Sequence, residues 1–169
     1  MSDSLYLYVI VRDDMDSLNE SPGKQGAQIS HATSQVHEIF AEMSIRHEVY
    51  NALGHNLKDS KGPTSYNIGP TLTTKEVRQS SEFNEWKEGT GSFGATIVLE
   101  ASIGDIREAV DMFGRAGIVS GITHDPTYPL RDGQTTHLIP LDTCGWAFGR
   151  KSQLSAVLGQ FPLLKPKVV

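Results

Sequence analysis

Ser21-Pro-Gly-Lys-Gln-Gly-Ala-Gln-Ile-Ser-His-Ala-Thr-Ser-Gln-Val-His-Glu-Ile-Phe40 carries two side-chain stripes at helical spacing. Ile29, Ala32, Val36, Ile39, Phe40 and Met43 recur every three or four residues, as on a helix face that packs on a core. Lys24, Gln28, His31 and Gln35 follow the same spacing on a second, polar face. Ser21-Pro22 reads as an N-cap followed by proline at the first helical position, where no N–H is lost. A helix is therefore expected from there to about Met43. A cation, an amide and an imidazole near its start suit an anionic or ester substrate, beside backbone N–H groups that favour negative charge. The same stripe also fits an ordinary solvated face, so spacing alone leaves both readings open. Gly23 and Gly26 are poor helix formers, and in the first turns they suggest close approach of a ligand to the backbone.

Upstream, Leu5 to Arg12 is a dense β-branched and aromatic run that reads as a buried first strand. Asp13, Asp14 and Asp16 read as the polar loop ending it, since they lack the pattern of a calcium loop. Downstream, Ile45 to Leu57 reads as a further helical piece and Lys58 to Thr71 as a loop. Thr73 to Lys87 reads as helix, Ala95 to Ala101 as a second strand, and Ile106 to Ala116 as a helix stopped by Gly117. Ile118 to Thr123 is expected to be a third strand, ended by His124-Asp125-Pro126. Thr127 to Gln134 reads as a turn-rich excursion. Thr135 to Ile139 and Thr143 to Phe148 read as a fourth strand interrupted at Pro140. A last helix spans about Arg150 to Leu158, with a tail from Gln160. This order predicts an α/β fold in which a small mixed sheet has helices on both faces.

The chain has 169 residues, the size of one domain, and a formal net charge of −5, which disfavours indiscriminate nucleic-acid binding. Its single cysteine, Cys144, permits no internal disulfide and fits a reducing, cytoplasmic compartment. That thiol lies in an expected buried strand and reads as inert. No signal peptide and no membrane span are read in the sequence. The histidines show no paired ligand spacing, so no metal site is expected. There is no P-loop, dinucleotide fingerprint or nucleophile elbow. From Arg150 onward there are four basic residues and no acid.

In open α/β sheets, ligands bind beyond strand ends. If the first and third strands are parallel neighbours, Lys24, His31 and Asp125 converge. His31 is the side chain suited to proton transfer near neutral pH, and Asp125, just past a strand, is suited to be a carboxylate base or a turn former.

Val9-Ile-Val-Arg-Asp-Asp-Met15 followed by Gly23-Lys-Gln-Gly-Ala-Gln-Ile-Ser-His-Ala32 resembles the opening of the type 2 peptidyl-tRNA hydrolases, the archaeal and eukaryotic type. Trp86 before a glycine turn, Thr96 to Leu99, Ala116-Gly-Ile118 into Thr123-His-Asp125, and Val157-Leu-Gly-Gln-Phe161 extend the resemblance along the chain. It implies a single domain over residues 1–169, with a mixed four-stranded sheet between helical layers and an insertion around 44–72. It implies cleavage of the ester between a peptide and the 3′ end of tRNA, a homodimer, and no metal or organic cofactor. Lys24, His31, Asp125 and Thr136 are the implied catalytic residues. Gly23, Gln28, His137, Arg150 and Lys151 are the implied substrate contacts. Two departures stand out. The Thr-Gln pair usual after the aspartate has its counterpart only in Thr136-His137, after an inserted stretch, and the family's later threonines fall near Asp142 to Cys144. Segment 44–72 is longer than the usual connection. The alternative expectations are a catalytically weak tRNA- or nucleotide-binding module and a protein-interaction role. Arg150, Lys151, Lys165 and Lys167 are expected on the same side as Lys24, and Gln35 is read as an ordinary helix residue outside the motif.

Overall fold

β1 (Leu5–Arg12) is the buried spine that its apolar composition requires, since each of its faces needs a covering layer. The computed structural model describes residues 3–58, 74–92 and 94–165, with side chains for all of these except 47, 49–58 and 74. After β1 come α1 (Asp16–Asn19), α2 (Pro22–Lys58), α3 (Thr74–Glu88), β2 (Thr96–Ala101), α4 (Ile103–Ala116), β3 (Val119–Asp132), β4 (Thr135–Arg150) and α5 (Lys151–Leu158). The four strands form one mixed sheet in the order β2-β1-β4-β3. β1 runs parallel to β2 and antiparallel to β4, and β4 is antiparallel to β3.

The alternation of β1 sorts its side chains between two cores. Leu5, Leu7, Val9 and Val11 pack with Leu18 of α1, Ala32, Val36 and Phe40 of α2, and Phe83 and Trp86 of α3. Tyr8 and Ile10 pack with Ile106, Ala109 and Phe113 of α4 and Leu154 and Leu158 of α5. The expected α/β fold, with a small four-stranded mixed sheet between helical layers, is therefore what forms. On the α2 side, Phe40 stacks on Phe83 at 4.2 Å between ring centroids, and Phe148 meets Phe40 edge-on at 5.2 Å.

Four features depart from the sequence reading. The acidic loop after β1 contains a helical turn, α1. The helix from Pro22 does not stop near Met43; α2 continues unbroken to Lys58 through what reads as a second piece. The expected loop from Lys58 to Thr71 lies outside the described residues beyond Lys58. β1 and β3 point the same way but are not neighbours, because β4 lies between them.

The fourth departure is the β3–β4 hairpin. β3 does not end at Asp125 but continues to Asp132, and Thr127 to Gln134 is mostly ribbon rather than excursion. Gly133, at φ 56°, opens the two-residue turn that joins the strands. Pro126 and Pro129 are tolerated because β3 is the sheet's edge strand, and Pro140 because β4 pairs with β1 only from Cys144 onward. The opposite edge, β2, is partly covered by the C-terminal segment: Glu100 N–H donates to Pro162 O and Leu164 N–H to Val98 O.

α4 lies directly against the backbone of β4. A methyl group placed on Gly145 would come within 2.5 Å of Ile106 Cγ2. Gly145→Ala is therefore expected to destabilise the fold by about 1–3 kcal/mol through overpacking, read as a lower urea midpoint with an unchanged slope.

Candidate functional site

α2 begins as its sequence dictates. Ser21 Oγ accepts from Lys24 N–H at 3.4 Å and Ser21 O accepts from Gln25 N–H at 3.0 Å. From this fixed start the polar stripe faces the β3–β4 pair, and α2 packs against β1, β3 and β4 together. Convergence with Asp125 thus arises because one helix spans several strands, not because β1 and β3 are adjacent.

Two bulges shape the sheet under α2. Thr123 pairs with Cys144 but His124 pairs with Asp142, so Thr143 is an extra residue on β4. Asp125 pairs with Leu141 but Tyr128 pairs with Ile139, so β3 carries an extra residue in Pro126-Thr127. Bulges re-aim side chains that strict alternation would send to opposite faces. Here they bring Asp125, Tyr128 and Thr143 to the α2 side.

A buried polar network results. Gln28 Nε2 donates to Asp125 Oδ2 at 2.7 Å, and Thr143 Oγ1 donates to Gln28 Oε1 at 2.6 Å. The other carboxylate oxygen of Asp125 accepts from Thr127 N–H at 2.9 Å. Asp125 is 7% exposed, Gln28 3% and Thr143 fully buried. The amide orientation follows from chemistry: an ionised carboxylate only accepts, so it takes the NH2 of Gln28, whose oxygen is left for the threonine hydroxyl. Burial pushes the Asp125 pKa up, but the Thr127 N–H, the Gln28 amide and the nearby His31 together hold it below the ordinary carboxylate value. Asp125 is thus an anion at neutral pH with His31, itself exposed, close enough to matter electrostatically.

Lys24 is half-buried. Its Nζ donates to Pro129 O at 2.7 Å and lies 5.0 Å from the centre of the Tyr128 ring. Among the described residues no carboxylate lies within ion-pair distance of it. Gln35 is not an ordinary surface residue: its Oε1 accepts from Thr123 Oγ1 at 2.9 Å and Trp146 Nε1 at 3.3 Å, tying α2 to the sheet a second time.

The structure brings together Lys24, Gln28, His31 and Asp125 and leaves other expected site residues elsewhere. Thr136 and His137 are exposed near the hairpin turn, opposite Arg131 and Leu130. The threonine that enters the network is Thr143, hinted at only by the alignment of the family's later threonines with Asp142 to Cys144. Gly23 is exposed, with open space where a side chain would stand. Arg150 sits across from Leu5, at the far end of β1, and its guanidinium donates to Glu82, Glu85 and Asp3 O. Lys151 follows it, and Lys165 lies past the segment paired with β2. The expectation that these cations share a side with Lys24 fails for Arg150 and Lys151; Lys167 is outside the described residues. Thr127 and Tyr128 had no sequence signal, because their roles depend on the bulge.

Three further features are set apart from this network. Burial pushes the Cys144 thiol up to about 11 against weaker opposing hydrogen bonds from Thr123 and Thr143, so it is no nucleophile at neutral pH. On the reverse face of the strands, Asp142 accepts from Arg107 at 2.6 Å and bonds His124 Nδ1 at 2.9 Å, and these partners hold its pKa down. A pocket of about 450 Å3 opens at the far end of the sheet, lined in part by Asp3, Tyr6, Glu85, Trp86 and Arg150. A buried, ionised carboxylate with an amide orienter, and an imidazole and an ammonium without a carboxylate partner among the described residues on the same helix face, is the stronger chemical signal.

No helix among the described residues is long and apolar enough to cross a membrane. No protein-family model matches the chain, and no curated protein matches it.

Gln28→Leu leaves Asp125 and Thr143 without their buried partner and is expected to cost about 1–3 kcal/mol in urea unfolding at neutral pH. Because the folded pKa of Asp125 lies below its ordinary value, its ionised form stabilises the fold fully above pH about 4 and loses that effect as pH falls through the folded value. The stability gap between the wild type and Asp125→Asn is therefore expected to be widest near neutral pH and to narrow below pH about 4. A gap that widens on acidification contradicts this.

Proposed function

We propose that this protein hydrolyses the ester bond between a peptide, or an N-blocked aminoacyl group, and the 3′ end of tRNA, releasing free tRNA. The observation that carries the reading is the Asp125 carboxylate, buried and kept ionised by Thr127 and Gln28 beneath the helix that bears Lys24 and His31. The identity and spacing of Gly23-Lys24, Gln28 and His31 support the same reading. Ester hydrolysis needs a water activated by a base and a cation or N–H donors for the oxyanion. Asp125 is the base, or His31 is the base with Asp125 stabilising its protonated form. Lys24, which has no carboxylate partner among the described residues, meets the oxyanion or the terminal phosphate. Gln28 and Thr143 fix the carboxylate's direction. No step requires a metal or an organic cofactor. A homodimer and a cytoplasmic setting belong to the same proposal.

A second reading, a tRNA-binding module with weak or no turnover, is favoured by one specific observation. The expected outer contacts, Thr136, His137, Arg150 and Lys151, stand away from the network.

The two readings separate in one assay series on peptidyl-tRNA. Lys24→Ala, His31→Ala and Asp125→Asn are each expected to lose about a hundredfold or more in turnover. Thr143→Val is expected to lose about tenfold, while Thr136→Ala stays within about twofold of the wild type. Near wild-type turnover in all of the first three sinks the site. Retention of tRNA without peptide release by the wild type selects the binding module. Absence of tRNA affinity at low salt, where phosphate contacts are strongest, rejects both.

A further inference from the structure

The segment from Asp125 to Pro129 touches both charges of the site. Asp125 supplies the carboxylate, Thr127 N–H holds one of its oxygens, the Tyr128 ring lies under Lys24, and Pro129 O accepts from the Lys24 ammonium. Strict alternation would place Asp125 and Tyr128, three positions apart, on opposite faces of the ribbon; the bulge at Pro126-Thr127 brings both to the same face. Tyr128 itself is fully buried, with its hydroxyl 3.2 Å from Ser17 Oγ on α1, so its ring cannot drift. Lys24 has a long stem, and its ammonium, with no carboxylate partner among the described residues, would otherwise sample many rotamers. A ring face and a carbonyl restrain it while leaving its charge uncompensated.

We propose that the bulged segment Asp125–Pro129 is a single charge clamp, and that Tyr128 is the positioning residue that holds Lys24 in register with Asp125. The clamp sets where the cation stands relative to the anion, with the bulge as its spacer. Its kinetic consequence rests on the hydrolase reading; its geometry does not.

The experiment has two arms. In the first, the Lys24 side-chain methylene signals are observed by NMR and assigned with Lys24→Arg. Seated over an aromatic ring, they are expected upfield of the other lysines in the wild type and in Tyr128→Phe, which keeps the ring but loses the hydroxyl. They are expected to return to the common lysine position in Tyr128→Leu, with Tyr128→Met as the substitute if the leucine variant does not fold. A wild-type signal coincident with the other lysines, or one unmoved in the ring-less variant, overturns the clamp. In the second arm, the ring-less variant is expected to lose about tenfold in kcat on peptidyl-tRNA with little change in KM, and Tyr128→Phe to stay near the wild type. A raised kcat, meaning that the hairpin restrains Lys24 from acting, or an unchanged kcat despite a moved Lys24 signal, refutes the positioning role. A wild type inactive on peptidyl-tRNA refutes the proposed reaction, and the NMR arm then decides the clamp by itself.

Discussion

The polar network between α2 and the β3–β4 pair depends on one buried amide. Gln28 lies where α2 crosses the β3–β4 pair, and its two polar atoms must both be satisfied because almost none of the residue reaches water. The donor goes to Asp125 and the acceptor to Thr143, each on a different strand. That requirement fixes the rotation of α2 about its axis and its height along the strands. Lys24 and His31, one helical turn to either side, are placed as a consequence. A second amide, Gln35, repeats the attachment two turns from Gln28 with Thr123 and Trp146. Apolar packing of Ala32, Val36 and Phe40 drives the helix onto the sheet, but it is nondirectional. The two glutamines supply the register.

The strands meet this helix only because they are irregular. A regular antiparallel pair would divide Asp125 from Tyr128 and Cys144 from Thr143 between the two faces. Two bulges, one on each strand, turn all four toward α2. The same irregularity leaves His124 and Asp142 on the reverse face, where Asp142 is engaged by Arg107 and His124. A single strand pair therefore separates two carboxylates a few residues from the hairpin's paired core. One is bound by neutral donors beside Lys24, the other by the Arg107 guanidinium and the His124 imidazole. The first arrangement keeps a buried anion oriented by hydrogen bonds; the second is a surface ion pair with partly exposed partners, a kind worth little to stability.

The charges follow the same division. The chain is acidic overall, and Arg150 does not offset this at the site. Arg150 is held among Glu82, Glu85 and the Asp3 carbonyl at the far end of β4. Those contacts raise its affinity for its proton against the opposing effect of burial, and they join α3, the N-terminal segment and α5. Its role is in the fold. Lys24 is left as the cation associated with the Asp125 network.

What the sequence by itself determined is what local rules can encode. The Ser21-Pro22 start of α2, the Gly117 stop of α4, the alternation of β1, the apolar stripe of α2 and the inert, buried Cys144 were all legible, because each depends on residues a few positions apart. The mixed sheet with helices on both faces followed from the order of those elements. The Lys24, Gln28 and His31 stripe was legible as a spacing, and Asp125 as a residue at a strand's end. Only the tertiary structure decided that Thr143 rather than Thr136 joins them, that Gln35 is a structural anchor, that Arg150 belongs to the opposite end, and that Tyr128 underlies the lysine. The physical reason is the same in each case. A bulge is defined by which residues on another strand face each other, and a buried polar group's partner lies 88 to 115 positions away along the chain. No local period carries that information; it exists only once the register between strands and the seat of α2 are set together.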